Sequence, residues 1–258
     1  MDRQFCKVTR EGHVLIVTMN RRERMNALHP PANFELEQVF DDFAADDDLW
    51  IAIITGEGDR AFSAGNDLRY QAEGNKIEIP KTGFAGLTAR FNCNKPLIAA
   101  VNGMAMGGGF EIALACDIII AADSAVFALP EPRVGLAALA GGLHRLTRQI
   151  PLKQAMGMIL TGRRVGAAEG QTLGFVNEVV PQAELMAAAR RWADLMLECS
   201  PMSLRASKET VREGMDKATF AEAYSTPYEA VKALFRSQDL IEGPTAFAQK
   251  RKPNWTGK

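Results

Sequence analysis

The sequence from Asn102 to Asp117 reads Asn-Gly-Met-Ala-Met-Gly-Gly-Gly-Phe-Glu-Ile-Ala-Leu-Ala-Cys-Asp. An apolar run, Pro96–Val101, precedes it and predicts a buried strand, and the small residues of Gly109–Cys116 predict a helix. Glycines between them let another molecule approach the backbone closely. Such a turn leaves the first N–H groups of the helix unpaired at the positive end of its dipole. We therefore predict half of an oxyanion hole at Gly108, with the carboxylate of Glu111 beside it.

An alternative interpretation is a glycine turn that only lets the helix pack tightly on a sheet. A second strand-to-glycine plan weighs against it, because the predicted strand Trp50–Gly56 is followed by a strand end and Ala64-Gly65. If the two turns converge, the N–H groups of Ala64 and Gly108 both point at one oxygen, as a thioester enolate requires. The repeated plan also suggests a repeated ββα unit.

A second carboxylate, Glu131, lies in a loop between Pro130 and Pro132. Burial and a like-charged neighbour would each raise the pKa of a carboxyl group. A pair whose pKa values differ can act as one acid and one base, which predicts proton transfer by Glu111 and Glu131. The alternative for Glu131 is a loop carboxylate in water.

Bulk composition limits the function classes. The 258 residues suffice for one large domain, or one domain with an appendage, and the net charge of −1 gives no footprint for nucleic acid or an anionic membrane. No apolar run reaches membrane-spanning length, and Met1–Gln4 lacks the apolar core of a signal peptide. Four scattered cysteines form no Cys-x-x-Cys pair, which predicts no metal site and a cytoplasmic protein.

Predicted strands alternate with helices up to about residue 180, and only helices follow. The pattern therefore predicts an α/β core with a helical cap or oligomerisation element. Nucleotide-binding and hydrolase motifs are missing: the dinucleotide fingerprint fails at Ile112, and the chain has no Gly-x-Ser-x-Gly elbow. The predicted helices include 34–45, 82–92, 201–213, 219–235 and 238–250, and residues 70–81 are predicted to form a mobile surface segment.

Together these motifs resemble the crotonase (enoyl-CoA hydratase/isomerase) superfamily over essentially the whole chain. Within it, the segments Gly83–Thr88 and Glu242–Arg251 look like carnitinyl-CoA (crotonobetainyl-CoA) dehydratases. The superfamily resemblance depends on the segments Arg24–Leu28, Phe62–Leu68, Asn102–Glu111, Phe127–Glu131, Gly141–Leu146, Thr161–Arg164 and Gly174–Asn177.

The resemblance implies an α/β fold in which ββα repeats form a spiral (residues 1–195), followed by a C-terminal α-helical trimerisation region (196–258). It implies a homotrimer or a dimer of trimers. The substrate of the protein would be an acyl-CoA, with coenzyme A entering as part of the substrate and no separate cofactor.

By the same resemblance, the N–H groups of Ala64 and Gly108 form the oxyanion hole, and Glu111 and Glu131 are the two catalytic glutamates of a hydratase. One would deprotonate water for attack at Cβ and the other would protonate Cα. Residues implied in substrate or CoA binding are Arg24, Ala27, Ala64, Gly65, Asn66, Asp67, Leu68, Gly107, Gly108, Phe247 and Lys250, the last two from a neighbouring subunit.

Two alternatives remain open. The first is a double-bond isomerase that uses Glu131 alone, and the second is a non-catalytic member that binds acyl-CoA or RNA. The chain also departs from the family, which often has Pro-Gly-Ala-Gly-Gly-Thr where Ala138–Leu143 reads Ala-Leu-Ala-Gly-Gly-Leu. This departure predicts a reshaped acyl pocket.

Overall fold

The computed structural model describes residues 3–258. Met1 and Asp2, the first residues of the predicted core domain and of the segment predicted to lack a signal peptide, lie outside the described residues. Its ten strands alternate with helices through the first two thirds of the chain. The strands are β1 (Cys6–Glu11), β2 (Val14–Met19), β3 (Ile51–Gly56), β4 (Ala61–Ser63), β5 (Leu97–Val101), β6 (Met104–Met106), β7 (Ile118–Ala122), β8 (Val126–Ala128), β9 (Val165–Gly166) and β10 (Glu178–Val180).

The strands form two sheets. The larger has the order β1-β2-β3-β5-β7-β10 and is parallel except for the β1–β2 pair, and the smaller has the order β4-β6-β8-β9. Every residue of β3 is buried, because helices or the second sheet cover both faces of the larger sheet.

Eleven helices complete the described chain. They are α1 (Pro30–Ala45), α2 (Leu68–Ala72), α3 (Gly108–Ala115), α4 (Gly142–Gln149), α5 (Leu152–Thr161), α6 (Ala167–Leu173), α7 (Leu185–Leu197), α8 (Pro201–Gly214), α9 (Phe220–Ser225), α10 (Glu229–Leu234) and α11 (Asp239–Ala248). Among residues 3–258, none of the helices combines the length and the apolar character needed to cross a bilayer.

The order of elements confirms the predicted spiral of ββα repeats. Each turn places one strand in the larger sheet and the next in the smaller sheet, and then returns through a helix, as in β5–β6–α3 and β7–β8–α4. The main core lies between the two sheets and under α1 and α3, whereas α7 packs on the opposite face of the larger sheet.

Local predictions failed where backbone conformation overrode the apolar pattern. The segment predicted as a helix, 82–92, instead contains a short 3₁₀ turn, Phe84–Gly86. Ala85 and Gly86 in the turn, and Gly83 just before it, have positive φ angles. The helix predicted for 219–235 is two helices, α9 and α10, because the chain is extended at Thr226 before Pro227.

Two further predicted bounds fall inside helices. The segment predicted to be mobile, 70–81, overlaps α2 at its start. The predicted domain boundary at 195/196 falls inside α7, which is continuous and contributes Leu185, Ala188 and Ala193 to a buried cluster on the larger sheet. The division of the chain at 195/196 and the role of the helical end in oligomerisation stay predictions.

Candidate active site

The two strand-to-glycine turns meet, as the sequence predicted. A methyl group on Gly65 would lie 2.6 Å from the carbonyl oxygen of Met106 and 2.8 Å from the backbone nitrogen of Gly108. A methyl group on Gly109 would collide with the carbonyl oxygen of Ser63. The turns are therefore in backbone contact, which only glycine allows at these positions. We call Ser63–Asn66 together with Gly107–Glu111 the catalytic floor.

The pair of free amides differs from the predicted pair. The N–H of Ala64 donates to the carbonyl of Met25 at 2.9 Å, so it is committed to the backbone and the prediction for Ala64 as an oxyanion donor is wrong. Two residues later, the N–H of Asn66 has no hydrogen-bond partner within residues 3–258, and the same holds for the N–H of Gly108 in the first turn of α3. Asn66 and Gly108 both line one cavity, so the two unpaired amides border the same space.

Glu111 lies on α3, one turn after Gly108, with only 3% of its surface exposed. Its Oε1 accepts a hydrogen bond of 2.8 Å from the N–H of Gly142, at the start of α4. Burial raises the pKa of Glu111 to about 7, and the charge of Glu131 adds to the rise, against the Gly142 N–H and the guanidinium of Arg145. The carboxyl group is therefore able to exchange a proton near neutral pH.

Glu131 approaches the floor from β8, the strand that pairs with β6 in the smaller sheet. It opens a 3₁₀ turn (Glu131–Val134) shortly after β8, and its Oε1 would lie 2.7 Å from a methyl group on Gly107. Its Oε2 is buried and has no hydrogen-bond partner among the described residues, and burial raises the pKa of the carboxyl group. An unpaired buried oxygen of this kind is costly unless a ligand or water satisfies it.

One cavity of about 1480 Å³ joins these groups. Glu111, Glu131, Gly107, Gly108 and Asn66 all line it. This volume exceeds the usual size of small-ligand pockets, so the cavity can hold an extended ligand as well as the reacting centre.

The remaining predicted binding residues are dispersed. Leu68 lines the cavity with 42% of its surface exposed, and Arg24 is exposed in the turn after β2. Ala27 is buried, and Gly65 serves the contact between the turns. Phe247, on α11, is 85% exposed, and Lys250 lies two residues after that helix; neither lines the cavity of its own chain.

Asp67 has a structural role in this chain. Its carboxylate pairs with the buried guanidinium of Arg21 at 3.0 Å and accepts from the N–H of Tyr70, which caps α2. Burial alone would raise the pKa of Asp67, but these two partners outweigh it and hold the pKa below its usual value. Asp67 does not line the cavity, and its contact with CoA stays a prediction.

Sequence reasoning missed three residues that border the site. The ring of Phe84 lies against Gly108, where a methyl group would be 2.6 Å away, and the guanidinium of Arg145 donates to the carbonyl of Thr88 at 2.8 Å. The wrongly predicted helix at 82–92 concealed the turn that carries Phe84 and Thr88. Position-specific signal existed only for Gly83 and Gly86, since glycines tolerate the positive φ angles found there.

Comparisons with known proteins agree with this geometry. The family described as enoyl-CoA hydratase/isomerase matches residues 9–258. A carnitinyl-CoA dehydratase of Escherichia coli is 45% identical over 257 residues, covering 97% of this chain and 98% of that protein.

Solved structures give the same result. An enoyl-CoA hydratase from Mycobacterium tuberculosis superposes with a TM-score of 0.91 at 35% identity, covering 98% of this chain and 99% of that one. A carnitinyl-CoA hydratase from Mycobacterium avium superposes with a TM-score of 0.79 at 36% identity, covering 100% of both chains.

Proposed function

Because the chain belongs to the enoyl-CoA hydratase/isomerase family, we propose that it is a hydro-lyase that reversibly adds water to the double bond of a 2-enoyl-CoA thioester. The observation that carries this proposal is the presence of two carboxyl groups, Glu111 and Glu131, beside one pair of unpaired backbone amides in a single cavity. Addition is proposed to be syn, since both carboxyl groups would act on the same face of the substrate.

The thioester oxygen would accept from the N–H groups of Asn66 and Gly108. Negative charge develops on that oxygen as the enolate forms, and the N-terminal end of α3 favours it. Each donor supplies on the order of 3 kcal/mol of transition-state stabilisation when it is held in place, as the contact between the two turns holds these.

The two glutamates would divide the proton transfers by their positions. Glu131 contacts Gly107, next to the amide that holds the carbonyl, so it is placed to protonate Cα. Glu111 lies one helical turn further on, where it would take the proton of a water whose oxygen attacks Cβ. The cycle needs one carboxylate and one carboxylic acid. The pKa of Glu111, about 7, lets this group take either form near neutral pH, and burial raises the pKa of Glu131 as well.

The rest of the substrate would extend along the cavity from Asn66 and Leu68 towards Arg24, which would meet the phosphates of CoA. Phe247 and Lys250 would complete that end from a neighbouring subunit in a homotrimer or dimer of trimers, because they lie away from the cavity of their own chain. CoA would enter as part of the substrate without a further cofactor, and the scattered free cysteines fit a reducing cytoplasm.

Incubation of the purified protein in D₂O with a 2-enoyl-CoA ester, and separately with a 3-enoyl-CoA ester, tests this function. The first reaction reports hydration and the second reports isomerisation. Loss of the enoyl absorbance should accompany a 3-hydroxyacyl-CoA that carries one deuterium at Cα. If a 3-enoyl-CoA is converted to the 2-enoyl isomer and no hydroxyacyl product forms, the protein is an isomerase instead. If neither ester reacts although both bind, the non-catalytic alternative holds.

A further inference from the structure

One wall of the cavity is apolar and exposed to the ligand space. It is formed by residues 132–141, here called the outer wall, which connect Glu131 to the start of α4. Val134, Leu136 and Leu139 line the cavity from this wall with 57%, 45% and 80% of their surfaces exposed. Exposed apolar side chains grouped around a cavity are typical of a surface that an apolar ligand covers.

The outer wall adjoins both catalytic carboxyl groups. At one end the N–H of Leu136 donates to the carbonyl of Glu131 at 3.0 Å, and at the other end Gly142 donates to Glu111. A group attached to Cβ of the substrate, beyond the two glutamates, would therefore meet this wall. The wall belongs to the acyl end of the cavity rather than to the CoA end at Arg24.

The charged side chains of the outer wall and of α4 are unsuited to a cationic acyl group. The sequence Pro-Arg-Val-Gly-Leu-Ala-Ala-Leu-Ala-Gly of the outer wall contains no carboxylate and no aromatic ring, and its one charge is Arg133. Helix α4 adds Arg145 and Arg148 to the cavity lining and also carries no carboxylate. A quaternary ammonium group needs aromatic faces or anions around it. From the outer wall and α4 it would meet three guanidinium groups and the imidazole of His144.

The carboxyl groups and phenylalanine rings of the lining belong to other elements. Glu111 and Glu131 are the two carboxyl groups assigned to the reaction, and Phe84 and Phe91 lie in the segment before β5. Asp117 pairs with Lys208 at 2.7 Å, and Glu213 pairs with Arg212 at 3.2 Å. Asp216 lies after the end of α8. None of the three belongs to the outer wall or to α4.

We infer that the acyl subsite of this chain selects an uncharged, apolar Cβ substituent and disfavours the quaternary ammonium group that carnitinyl-CoA carries, with Leu139 as the main specificity-determining residue. The inference rests on the proposed function for the position of the acyl chain. It separates this protein in substrate class from relatives to which it is 45% identical.

A matched pair of substrates tests it. Crotonobetainyl-CoA carries a trimethylammonium group, and its neutral isostere carries a tert-butyl group in which carbon replaces the nitrogen. The isostere should be hydrated with a kcat/KM at least roughly ten-fold higher, since shape is equal and only the charge to be desolvated differs. Equal or higher kcat/KM for crotonobetainyl-CoA would overturn the inference while the hydratase function stands.

Substitution at Leu139 assigns the effect to the wall. Leu139→Asp should lower kcat/KM for the tert-butyl ester and raise it for crotonobetainyl-CoA, so that their ratio falls by roughly ten-fold or more. Leu139→Asn is the control, because it has nearly the same shape without the charge and should leave the neutral ester preferred. The residue is 80% exposed, so neither variant threatens folding. An unchanged ratio in Leu139→Asp would refute the role of Leu139.

Saturated analogues separate the failure of this inference from failure of the proposed function. Calorimetry with the saturated tert-butyl and trimethylammonium acyl-CoA esters measures the subsite without any chemistry. If no enoyl ester is hydrated, the proposed function fails, and tighter binding of the neutral saturated ester would still uphold the subsite preference. Equal binding of the two esters would reject it.

Discussion

The catalytic floor and the outer wall border the same cavity but are built in opposite ways. The floor is buried, and its glycines lie so close to neighbouring backbone that a methyl group has no room at Gly65 or Gly109. The wall is exposed, and the side chain of Leu139 is 80% accessible. The proposed chemistry therefore depends on main-chain geometry, which cannot change without moving the fold. The proposed selectivity depends on exposed side chains that can change freely.

The largest effect should come from removing the two carboxyl groups, Glu111 on α3 and Glu131 after β8. Glu111→Gln and Glu131→Gln should each lower kcat by roughly two to four decades, since each removes one proton transfer from the reaction. Glutamine keeps an oxygen that can accept from Gly142, so the geometry around position 111 is preserved. Steady-state hydration of an enoyl-CoA ester measures the change, and parental rates in both variants would rule out the mechanism.

A methyl group on the floor should be nearly as harmful. Gly65→Ala would force the Asn66 turn away from Gly108, because the added carbon has only 2.6 Å to Met106 and the backbone has a positive φ angle. Losing the alignment of one oxyanion donor typically costs about two to three decades in kcat.

Gly157→Ala is the matched control for this substitution, since Gly157 lies in α5 with nothing within 4 Å and no positive φ angle. It should leave kcat unchanged and add slightly to stability. If Gly65→Ala keeps full activity, main-chain contact at the floor is not what holds the amides.

Burial of Glu111 should be measurable as a loss of stability with rising pH. Its pKa is about 7 in the fold against 4.5 ordinarily, so the fold favours the protonated form. The resulting stabilisation is fully present below pH 4.5 and is lost as the pH rises through 7. Glu111→Gln should therefore unfold with nearly parental free energy at pH 4.5 and be more stable than the parent by about 3 kcal/mol at pH 8.

Urea unfolding at several pH values gives this difference. Glu184→Gln, at an exposed position without a side-chain partner among the described residues, should show no such trend. A constant difference between the Glu111 variant and its parent would mean that the floor does not hold Glu111 as an acid.

The floor was predictable from sequence because glycine reports backbone conformation directly. The run at Gly107–Gly109 and the repeated plan at Gly65 identified both turns, the contact between them and the family. The amide itself was misplaced by two residues, since the N–H of Ala64 bonds to Met25, a residue 39 positions earlier that no local pattern connects to it.

The surroundings of the site were harder to predict because they too depend on contacts between residues far apart in sequence. The apolar residues of 82–92 fit a helix, but the segment is a turn because Gly86 packs on the backbone of Glu37 in α1. The β1 strand was missed because its charged residues give it the pattern of an exposed edge. Non-local packing decided both, and a single sequence carries little trace of it.

The smallest effect should arise at Arg24, which belongs to neither the floor nor the wall. Arg24 is exposed after β2, and we expect it to bind the phosphates of CoA, so Arg24→Gln should raise KM by roughly three- to ten-fold with kcat unchanged. The effect should shrink at high ionic strength, because solvent-exposed charges are screened. Arg22→Gln is the control: Arg22 lies in the same turn but is directed towards Asp59 at 3.8 Å, so its loss should leave KM unchanged. Equal effects of the two substitutions would mean that Arg24 acts only through general surface charge. A fall in kcat for Arg24→Gln would mean instead that Arg24 affects the catalytic floor.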